Sequence, residues 1–162
     1  MTSSSAKTAA VLTISDSSYV GQREDISGPA IVRELEAAHF TVIHRSVLPD
    51  EKDAIAARLI ECSEFTRLVV TTGGTGIAAR DVTPEATLTV IERRIEGIEE
   101  KMRQEGAKKT PFAALSRGIC GVRGKTLLLN LPGSPAAAVE SLQAVIGILP
   151  HALELLDGKT EH

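Results

Sequence analysis

Short runs of apolar residues alternate along this chain with stretches in which apolar residues recur every three or four positions. Short apolar runs predict strands at 8–14, 40–47, 68–72, 119–123 and 126–130, and the run at 8–14 is of the kind expected for a strand buried on both faces. The three- and four-residue spacing predicts helices that begin at Ser27 and Pro84 and cover 51–64, 135–146 and 150–156. Helices alternating with strands indicate a single α/β domain with a mainly parallel sheet.

The segment that follows Pro84 has a less regular pattern. Three apolar residues share one face of a helix that Gly97 interrupts: Leu88, Ile91 and Ile95. A further helical stretch is expected around 99–103. A short helix then starts at 110–111, with its two large apolar side chains, Phe112 and Leu115, turned inward.

The last two helices carry more apolar positions than the surface of a small monomer usually leaves free. These positions are Val139, Leu142, Ile146, Leu153 and Leu156. They pack either on the sheet or on another subunit, and the sequence alone leaves both possibilities open.

Composition narrows the class of protein. Hydrophobic residues make up 43% of the 162 residues, which suits one compact core, whereas aromatic residues make up only 2%. A formal net charge of −3 and the lack of stacking rings argue against a nucleic-acid partner. No apolar run reaches the length of a membrane span. We therefore expect a cytoplasmic protein without a membrane partner. Residues 1–7 are Ser-rich, lack a signal-peptide core and are expected to form a flexible tail.

The cysteines and histidines do not form recognisable sites. Cys62 and Cys120 lie far apart without paired spacing, so the sequence predicts neither a zinc site nor a disulfide, and Cys62 is expected to be a buried, inert thiol. The four histidines show no metal-ligand spacing and are expected in surface or core positions: His39, His44, His151 and His162.

A glycine-rich loop follows the strand at 68–72. Its residues are Gly73, Gly74, Thr75 and Gly76. Glycines after a buried strand let the backbone turn sharply and bring N–H groups close to an anion such as phosphate. The alternative is an ordinary tight turn.

Two acids are expected beside this loop. Thr83 as N-cap and Pro84 in the first turn place the next helix start well beyond the glycines, so Asp81 lies in a loop within reach of whatever the glycines bind. Asp50 follows the strand at 40–47, although it could instead cap the helix at 51–64. An acid beside a phosphate site suits a bound divalent cation, whereas the simpler alternative is a solvated charge.

A second loop repeats this arrangement after the strand at 126–130. It contains Pro132 and Gly133, with Ser134 as the N-cap of the following helix. The polar cluster that starts at Ser15 and Asp16 also follows a strand, as a ligand site or an ordinary turn. Two acids and two anion loops on one sheet edge are typical of phosphoryl or nucleotidyl transfer.

Two other nucleotide motifs fit poorly. Residues 74–79 formally match the G-x-G-x-x-A dinucleotide fingerprint, but that fingerprint opens a helix directly, which Thr83 and Pro84 exclude here. The glycine loop at 73–76 does not end in the Gly-Lys-Ser or Gly-Lys-Thr of a P-loop. A nicotinamide oxidoreductase is therefore disfavoured.

Four motifs, at 72–76, 80–87, 110–117 and 130–135, together resemble the molybdenum-cofactor biosynthesis proteins of the Mog/MoaB type, which include the G domains of gephyrin and its plant counterpart. The resemblance runs from about residue 8 to residue 156. It implies a three-layer α/β/α sandwich, a single domain of this type across 1–162, and a homotrimer.

The resemblance also implies molybdopterin adenylyltransferase activity. A terminal phosphate of molybdopterin attacks the α-phosphate of ATP, pyrophosphate leaves, and Mg²⁺ is required. Carried over by position, Asp50 and Asp81 match the essential acids, with Asp81 favoured for Mg²⁺. The remaining matches are Gly73, Gly74, Thr75 and Gly76 in the phosphate loop; Asn130, Pro132, Gly133 and Ser134 in the nucleotide-side loop; Ser116 on the pterin side; and Ser15, Asp16 and Glu100.

Two departures qualify the resemblance. Ile77-Ala78-Ala79 stands where several members carry proline, which loosens the loop but leaves the acids in place. The second, molybdate-inserting domain of eukaryotic members is absent from this chain, so that step would need a separate partner. The competing hypothesis is a noncatalytic molybdopterin-binding or scaffolding trimer.

Overall fold

The computed structural model describes residues 6–160. The strands are β1 (Thr8–Ile14), β2 (Thr41–Leu48), β3 (Leu68–Thr72), β4 (Arg93–Arg94), β5 (Cys120–Arg123) and β6 (Thr126–Leu131). The helices are α1 (Asp16–Tyr19), α2 (Ser27–Ala37), α3 (Lys52–Ser63), α4 (Thr83–Val90), α5 (Glu96–Ala107), α6 (Pro135–Val145) and α7 (Leu149–Leu156), and a 3₁₀ helix covers Pro111–Leu115.

The six strands form one sheet in the order β2-β1-β3-β6-β5-β4. The first four are parallel, and β5 and β4 extend the sheet in antiparallel pairing. Because Ile14 pairs with Leu48, and Thr72 pairs with both Thr13 and Leu131, the parallel strands end at nearly the same level. The loops that follow these four strands therefore share one edge of the sheet.

Each sheet face packs against its own helices, which gives three layers. Ala9 and Val11 of β1 join a core with residues of α2, α5, α6 and α7, whereas Ala10 and Leu12 join a second core with residues of α3 and α4. Alternate residues of a strand point to opposite faces, so a strand covered on both sides is apolar throughout. The predicted α/β/α sandwich is confirmed.

The region after α4 differs from its prediction. The helix ends at Val90, and Leu88 is exposed instead of facing the core. The N–H groups of Glu92 and Ile95 donate to carbonyl oxygens of β5, at 2.7 Å and 2.8 Å. This pairing makes the short strand β4, which is incompatible with a continuous helix, so the predicted shared face of Leu88, Ile91 and Ile95 is wrong. Gly97 interrupts nothing, because it is the second residue of α5.

The inward orientation predicted for Phe112 and Leu115 is also wrong. Their exposed fractions are 75% and 49%. The segment is a 3₁₀ helix that contacts α5 and contains no buried residue. Its three-residue repeat and its position outside the sheet layers leave these side chains at the surface.

Of the two possibilities for α6 and α7, the structure shows packing inside the chain. Leu142 and Leu153 are buried in the larger core, and Val139, Ile146 and Leu156 pack against it. Across residues 6–160, no single helix is long and apolar enough to cross a membrane. Only α6 and α7 taken together, with a 57° bend between them, pass by length and composition.

Cys62 is buried, as predicted, and burial raises the pKa of its thiol to about 11.

The Ser-rich tail falls largely on residues 1–5, which lie outside the described residues, as does His162. Lys7, the last residue of the predicted tail, accepts a hydrogen bond from the N–H of Thr41 at 2.8 Å, so it is part of the fold.

Glu99 on α5 supports the antiparallel end of the sheet. Its carboxylate is fully buried and accepts two 2.8 Å hydrogen bonds from Arg94 and one of 3.1 Å from the N–H of Cys120. We expect Glu99→Ala to lower the free energy of unfolding by about 1–3 kcal/mol, because a buried N–H loses its acceptor.

Denaturant unfolding measures this effect, and Glu96→Ala is the matched control. Glu96 contacts the same arginine at 3.9 Å, but its side chain is 70% exposed. A change within about 0.5 kcal/mol is expected for the control. Equal losses in the two variants would contradict the role given to Glu99.

Candidate active site

The loop after β3 is shaped by two glycines with left-handed backbone conformations. Gly73 has φ of 106° and Gly74 has φ of 68°. A Cβ at Gly73 would collide with the carbonyl oxygen of Ile14, and one at Gly74 would collide with Oγ1 of Thr83. The glycines are therefore required both by conformation and by close packing against the end of β1 and the start of α4.

This loop has unused donors. Gly73 donates its N–H to the carbonyl of Leu131 at 3.1 Å, so it is not available to a ligand. Among residues 6–160, by contrast, the N–H groups of Gly74, Thr75 and Gly76 have no acceptor. Three successive free donors are what an anionic group needs.

Thr83 fixes the far end of the loop in a way that differs from its prediction. It is the first residue of α4 and not its N-cap. Its hydroxyl donates to the carbonyl of Gly73 at 3.0 Å, and its N–H donates to the carbonyl of Gly74 at 3.1 Å. The helix start is thereby bound to the glycine loop. It does lie several residues beyond the glycines, in agreement with the exclusion of the dinucleotide fingerprint.

Asp81 closes a small turn beside the same loop. One carboxylate oxygen accepts the N–H of Ala78 at 3.0 Å, and a Cβ at Gly76 would lie 2.8 Å from that oxygen. Asp81 thus stands against the glycine loop, with its second oxygen outside this turn.

Asp16 and Asp50 bind each other reciprocally. The N–H of Asp16 donates to the Asp50 carboxylate, and the N–H of Asp50 donates to the Asp16 carboxylate, both at 2.9 Å. Asp50 does not cap α3, whose N-cap is Glu51 without a side-chain hydrogen bond. The pairing joins the loops after β1 and β2 and holds two carboxylates at the sheet edge.

The two carboxyls of this pair differ electrostatically. Partial burial raises the pKa of Asp50, and the nearby charges of Asp16 and Asp81 add to the rise, while the N–H of Asp16 opposes it. Two 2.9 Å hydrogen bonds from Arg80 hold the pKa of Asp16 below its ordinary value, with the N–H of Asp50 contributing. Asp16 is thus occupied by Arg80, whereas Asp50 keeps unfavourable charge near it that a cation would relieve.

A cavity of about 400 Å³ lies along this edge, and we call it the acidic cavity. Its lining includes Ser15, Asp25, Asp50, Gly73, Gly74, Asp81, Gly133 and Ser134. The structure therefore brings together both predicted acids, two of the phosphate-loop glycines and part of the second loop. Asp16, Thr75 and Gly76 are outside the lining.

The acidic cavity suits Mg²⁺ bound together with a phosphate ligand. Within residues 6–160, no group of three His, Cys, Asp or Glu side chains is arranged to hold a metal ion. Mg²⁺, however, is often bound by one or two carboxylates together with substrate phosphates. Asp50 and Asp81 supply that donor set, so the residues present fit the ion.

A second cavity, of about 300 Å³, adjoins the first. It is lined mainly by apolar groups, among them Met102, Phe112 and Pro132, and its polar members are Glu99, Arg103, Thr110, Ser116, Asn130, Ser134, Glu140 and Ser141. We call it the apolar cavity. Ser134 lines both cavities, so the loop that opens α6 forms the boundary between them. Ser134 also caps α6, as predicted.

Two predicted site residues are placed differently from their expected roles. Asn130 lines the apolar cavity, but it is 1% exposed, and its amide contacts Thr71, Thr87 and the N–H of Ile119 at 3.0–3.1 Å. Its side chain therefore braces β6 against β3 and α4. Glu100 is exposed on α5 and lines neither cavity, because the helical repeat turns its neighbour Glu99 inward.

Sequence reasoning missed Asp25. Its carboxylate, 8% exposed, accepts from the Thr13 hydroxyl at 2.8 Å, from the N–H of Gly28 at 2.9 Å and from Arg45 at 3.1 Å. It holds the start of α2 against the end of β1 and so shapes one wall of the acidic cavity. The available signal was the spacing of three residues to Gly28, which is typical of a capping acid.

Comparison with known proteins shows the family to which this chain belongs. The family model described as "Probable molybdopterin binding domain" matches residues 10–151. The chain belongs to the molybdopterin-binding domain family. The resemblance to Mog/MoaB proteins drawn from the four motifs is confirmed.

Individual members of the molybdopterin-binding domain family match most of the chain. It is 43% identical to the molybdopterin adenylyltransferase of Helicobacter pylori strain J99, over 91% of this chain and 86% of that protein. It is 45% identical to the molybdenum cofactor synthesis protein cinnamon of Drosophila melanogaster, over 90% of this chain but only 25% of that protein. The solved structure of MoaB from Thermus thermophilus matches with a TM-score of 0.86 at 48% identity, covering 93% of this chain and 96% of that one.

The ion pair between Arg80 and Asp16 generates a prediction on pH dependence. We expect Arg80→Ala to raise the pKa of Asp16, because the two hydrogen bonds from Arg80 are the main cause of its low value. A carboxyl whose pKa is lower when folded than when unfolded stabilises the fold above the unfolded-state pKa. This stabilisation is lost as the pH falls through the folded-state pKa.

The variant should therefore be slightly less stable than the parent at neutral pH, since the ion pair is exposed and screened by solvent, and the difference should close in acid. Carboxyl ¹³C shifts followed against pH measure the pKa, and thermal unfolding at several pH values measures the stability. An unchanged titration of Asp16 in Arg80→Ala would refute this interpretation of the ion pair.

Proposed function

We propose that this chain is a molybdopterin adenylyltransferase, which transfers AMP from Mg-ATP to molybdopterin in molybdenum-cofactor biosynthesis. The observation that carries the proposal is the acidic cavity, where Asp50 and Asp81 line the same space as the glycine loop. The family assignment and the name of the Helicobacter pylori relative support the same activity.

Each of the two cavities suits one of the two substrates. The acidic cavity, with free N–H groups of the glycine loop beside it, suits the triphosphate of ATP. The apolar cavity suits a flat heterocycle such as a pterin, with Ser116 as a polar contact. Ser134, at the boundary, lies where the phosphate of one substrate would meet that of the other.

The reaction forms one P–O bond and breaks another. An oxygen of the terminal phosphate of molybdopterin attacks the α-phosphorus of ATP, and the bond from that phosphorus to the bridging oxygen of the β-phosphate breaks. Pyrophosphate leaves with the electron pair of that bond. The chain contributes positioning and charge neutralisation: the N–H of Gly74, which lines the acidic cavity, would bind a phosphate oxygen, and the fixed loops would align the two phosphates.

Asp50 and Asp81 are the residues that would hold Mg²⁺. When bound, the ion would neutralise phosphate charge and that of the developing leaving group. Each of these carboxylates accepts one backbone N–H, and the resemblance to Mog/MoaB proteins favours Asp81 as the main ligand.

The remaining features of the proposal follow from the family. We infer a cytoplasmic homotrimer that passes its product to a separate molybdate-inserting protein. Sedimentation equilibrium of the purified chain tests the trimer, and a monomer would contradict it.

The direct test of the activity is incubation of the protein with molybdopterin, Mg-ATP and pyrophosphatase, followed by chromatography. We expect adenylylated molybdopterin to accumulate, and its absence would overturn the proposal. Molybdopterin binding without an ATP-dependent product would instead favour a noncatalytic binding or scaffolding protein.

Asp81→Asn tests the role of the acid. We expect the turnover number to fall at least about 100-fold, because a neutral amide binds Mg²⁺ poorly. The fold should persist, since the amide oxygen can still accept the N–H of Ala78. Asp53→Asn, an exposed acid on α3, is the matched control and should retain activity. An unaffected rate in Asp81→Asn would remove Asp81 from the mechanism.

A further inference from the structure

Arg117, which follows the 3₁₀ helix, is bound to the glycine loop and to the turn that contains Asp81. Its backbone N–H donates to the carbonyl of Thr75 at 2.8 Å, and its Nε donates to the carbonyl of Gly76 at 2.8 Å. Its Nη2 donates to the carbonyl of Asp81 itself, also at 2.8 Å. One residue therefore holds three carbonyl groups of the segment 75–81.

The guanidinium group of Arg117 is itself held in place by α4. Nη1 contacts both carboxylate oxygens of Glu85, at 2.8 Å and 3.0 Å. Glu85 lies in the first turn of α4, directly beyond the segment that Arg117 binds. The arginine thus spans the two ends of this segment, with Gly76 and Asp81 on one side and the start of the helix on the other.

The segment between these points has little other support. Residues 77–80 are exposed, and Ile77 is 70% exposed. The described contacts within it are the turn between Ala78 and Asp81 and the exposed ion pair from Arg80 to Asp16. An exposed pair contributes little to order. The carbonyls bound by Arg117, together with the contacts of Thr83 to the carbonyls of Gly73 and Gly74, therefore constrain where Asp81 stands.

We propose that Arg117 is a positioning residue for the transfer reaction: it fixes the segment 76–81 so that the Asp81 carboxylate faces the acidic cavity. This inference rests on the proposed function. Arg117 is absent from the lining of both cavities, so it acts through Asp81 and not by touching a substrate. Its neighbour Ser116 lines the apolar cavity, so Arg117 also joins the glycine loop to the wall of the apolar cavity.

The fork shape of the guanidinium is essential to this role. Nε, Nη1 and Nη2 each reach a different acceptor group in one plane. A lysine ammonium carries the same charge but is a single point with no fixed fork, so it cannot hold both carbonyls and Glu85 in this geometry. Replacement by lysine therefore separates positioning from charge.

The experiment compares Arg117→Lys and Arg117→Ala with the parent and with Arg123→Lys. Arg123 is a matched control because its Nη1 also donates to a carbonyl, that of Val90 at 2.8 Å, while it lines neither cavity. We expect both Arg117 variants to raise the KM for Mg-ATP and to lower kcat, each by about 10- to 100-fold, since small misplacements of reacting groups have effects of this size. The KM for molybdopterin and the kinetics of Arg123→Lys should stay within about threefold of the parent.

A purely structural role would produce a different result. Loss of folded protein lowers kcat in proportion and leaves the KM for Mg-ATP unchanged. That result, or full activity in Arg117→Lys, would overturn the inference. Amide hydrogen exchange in the absence of substrates gives a second readout. We expect at least about tenfold faster exchange of the hydrogen-bonded N–H groups of Ala78 and Asp81 in both Arg117 variants, with β1 and β3 unaffected.

The exchange measurement also separates this inference from the proposed function. If the parent forms no adenylylated product, the proposed function fails, but faster exchange at Ala78 and Asp81 would still support the anchoring by Arg117. If the parent is active and the exchange at Ala78 and Asp81 is unchanged in Arg117→Ala, the positioning role fails while the function stands.

Discussion

The parallel pairing of β2, β1, β3 and β6 is the constraint on which the rest of the structure depends. Parallel strands must be joined by crossovers, so every loop that leaves their carboxyl ends emerges on the same edge. Here the register aligns these ends closely, since Thr72 pairs with both Thr13 and Leu131. Asp16, Asp50 and the glycines, which are far apart in sequence, consequently meet just beyond the strand ends, whereas Asp81 is carried there by the loop between β3 and α4.

This meeting creates an electrostatic cost that local contacts reduce. Asp16 and Asp50 stand side by side, and each receives the backbone N–H of the other, while Arg80 binds Asp16. Asp50 is left with a raised pKa, because burial and the charges of Asp16 and Asp81 all oppose its ionisation. A cation at this edge would lower the cost, because it would offset the charges that face Asp50.

The sequence predicts the parts of the molecule that depend on local pattern. The buried strands at 8–14 and 68–72 and the strand-loop-helix junctions at Gly73 and Ser134 are determined by neighbouring residues, and their predicted positions are correct. The prediction that Phe112 faces the core is wrong. A short apolar segment faces a core only if other elements pack opposite it, and the periodicity of the sequence carries no information on that packing. The resemblance placed Asn130 in a nucleotide-side loop, whereas its side chain braces β6 against β3 and α4.

The contacts that sequence reasoning missed share a physical character. Both residues form hydrogen bonds to backbone groups: Asp25 accepts the N–H of Gly28, and Arg117 donates to distant carbonyls, which leave no mark in the sequence. The sequence pattern assigned no role to Arg117 beyond its membership of a motif, although it binds carbonyls about forty positions earlier in the chain. Residues of this kind can be recognised once coordinates show which carbonyl groups need a donor.

The contact between Gly73 and Gly133 shows why the two anion loops act as one unit. A Cβ at Gly133 would lie 3.3 Å from the Cα of Gly73, and the N–H of Gly73 donates to the carbonyl of Leu131. The loops after β3 and β6 are thus in backbone contact, with no side chain between them. A shift of one loop must therefore move the other, and the boundary between the two cavities at Ser134 is set by the same packing that shapes the glycine loop. The absence of side chains at these positions is what lets two crossovers of a parallel sheet form a single continuous wall.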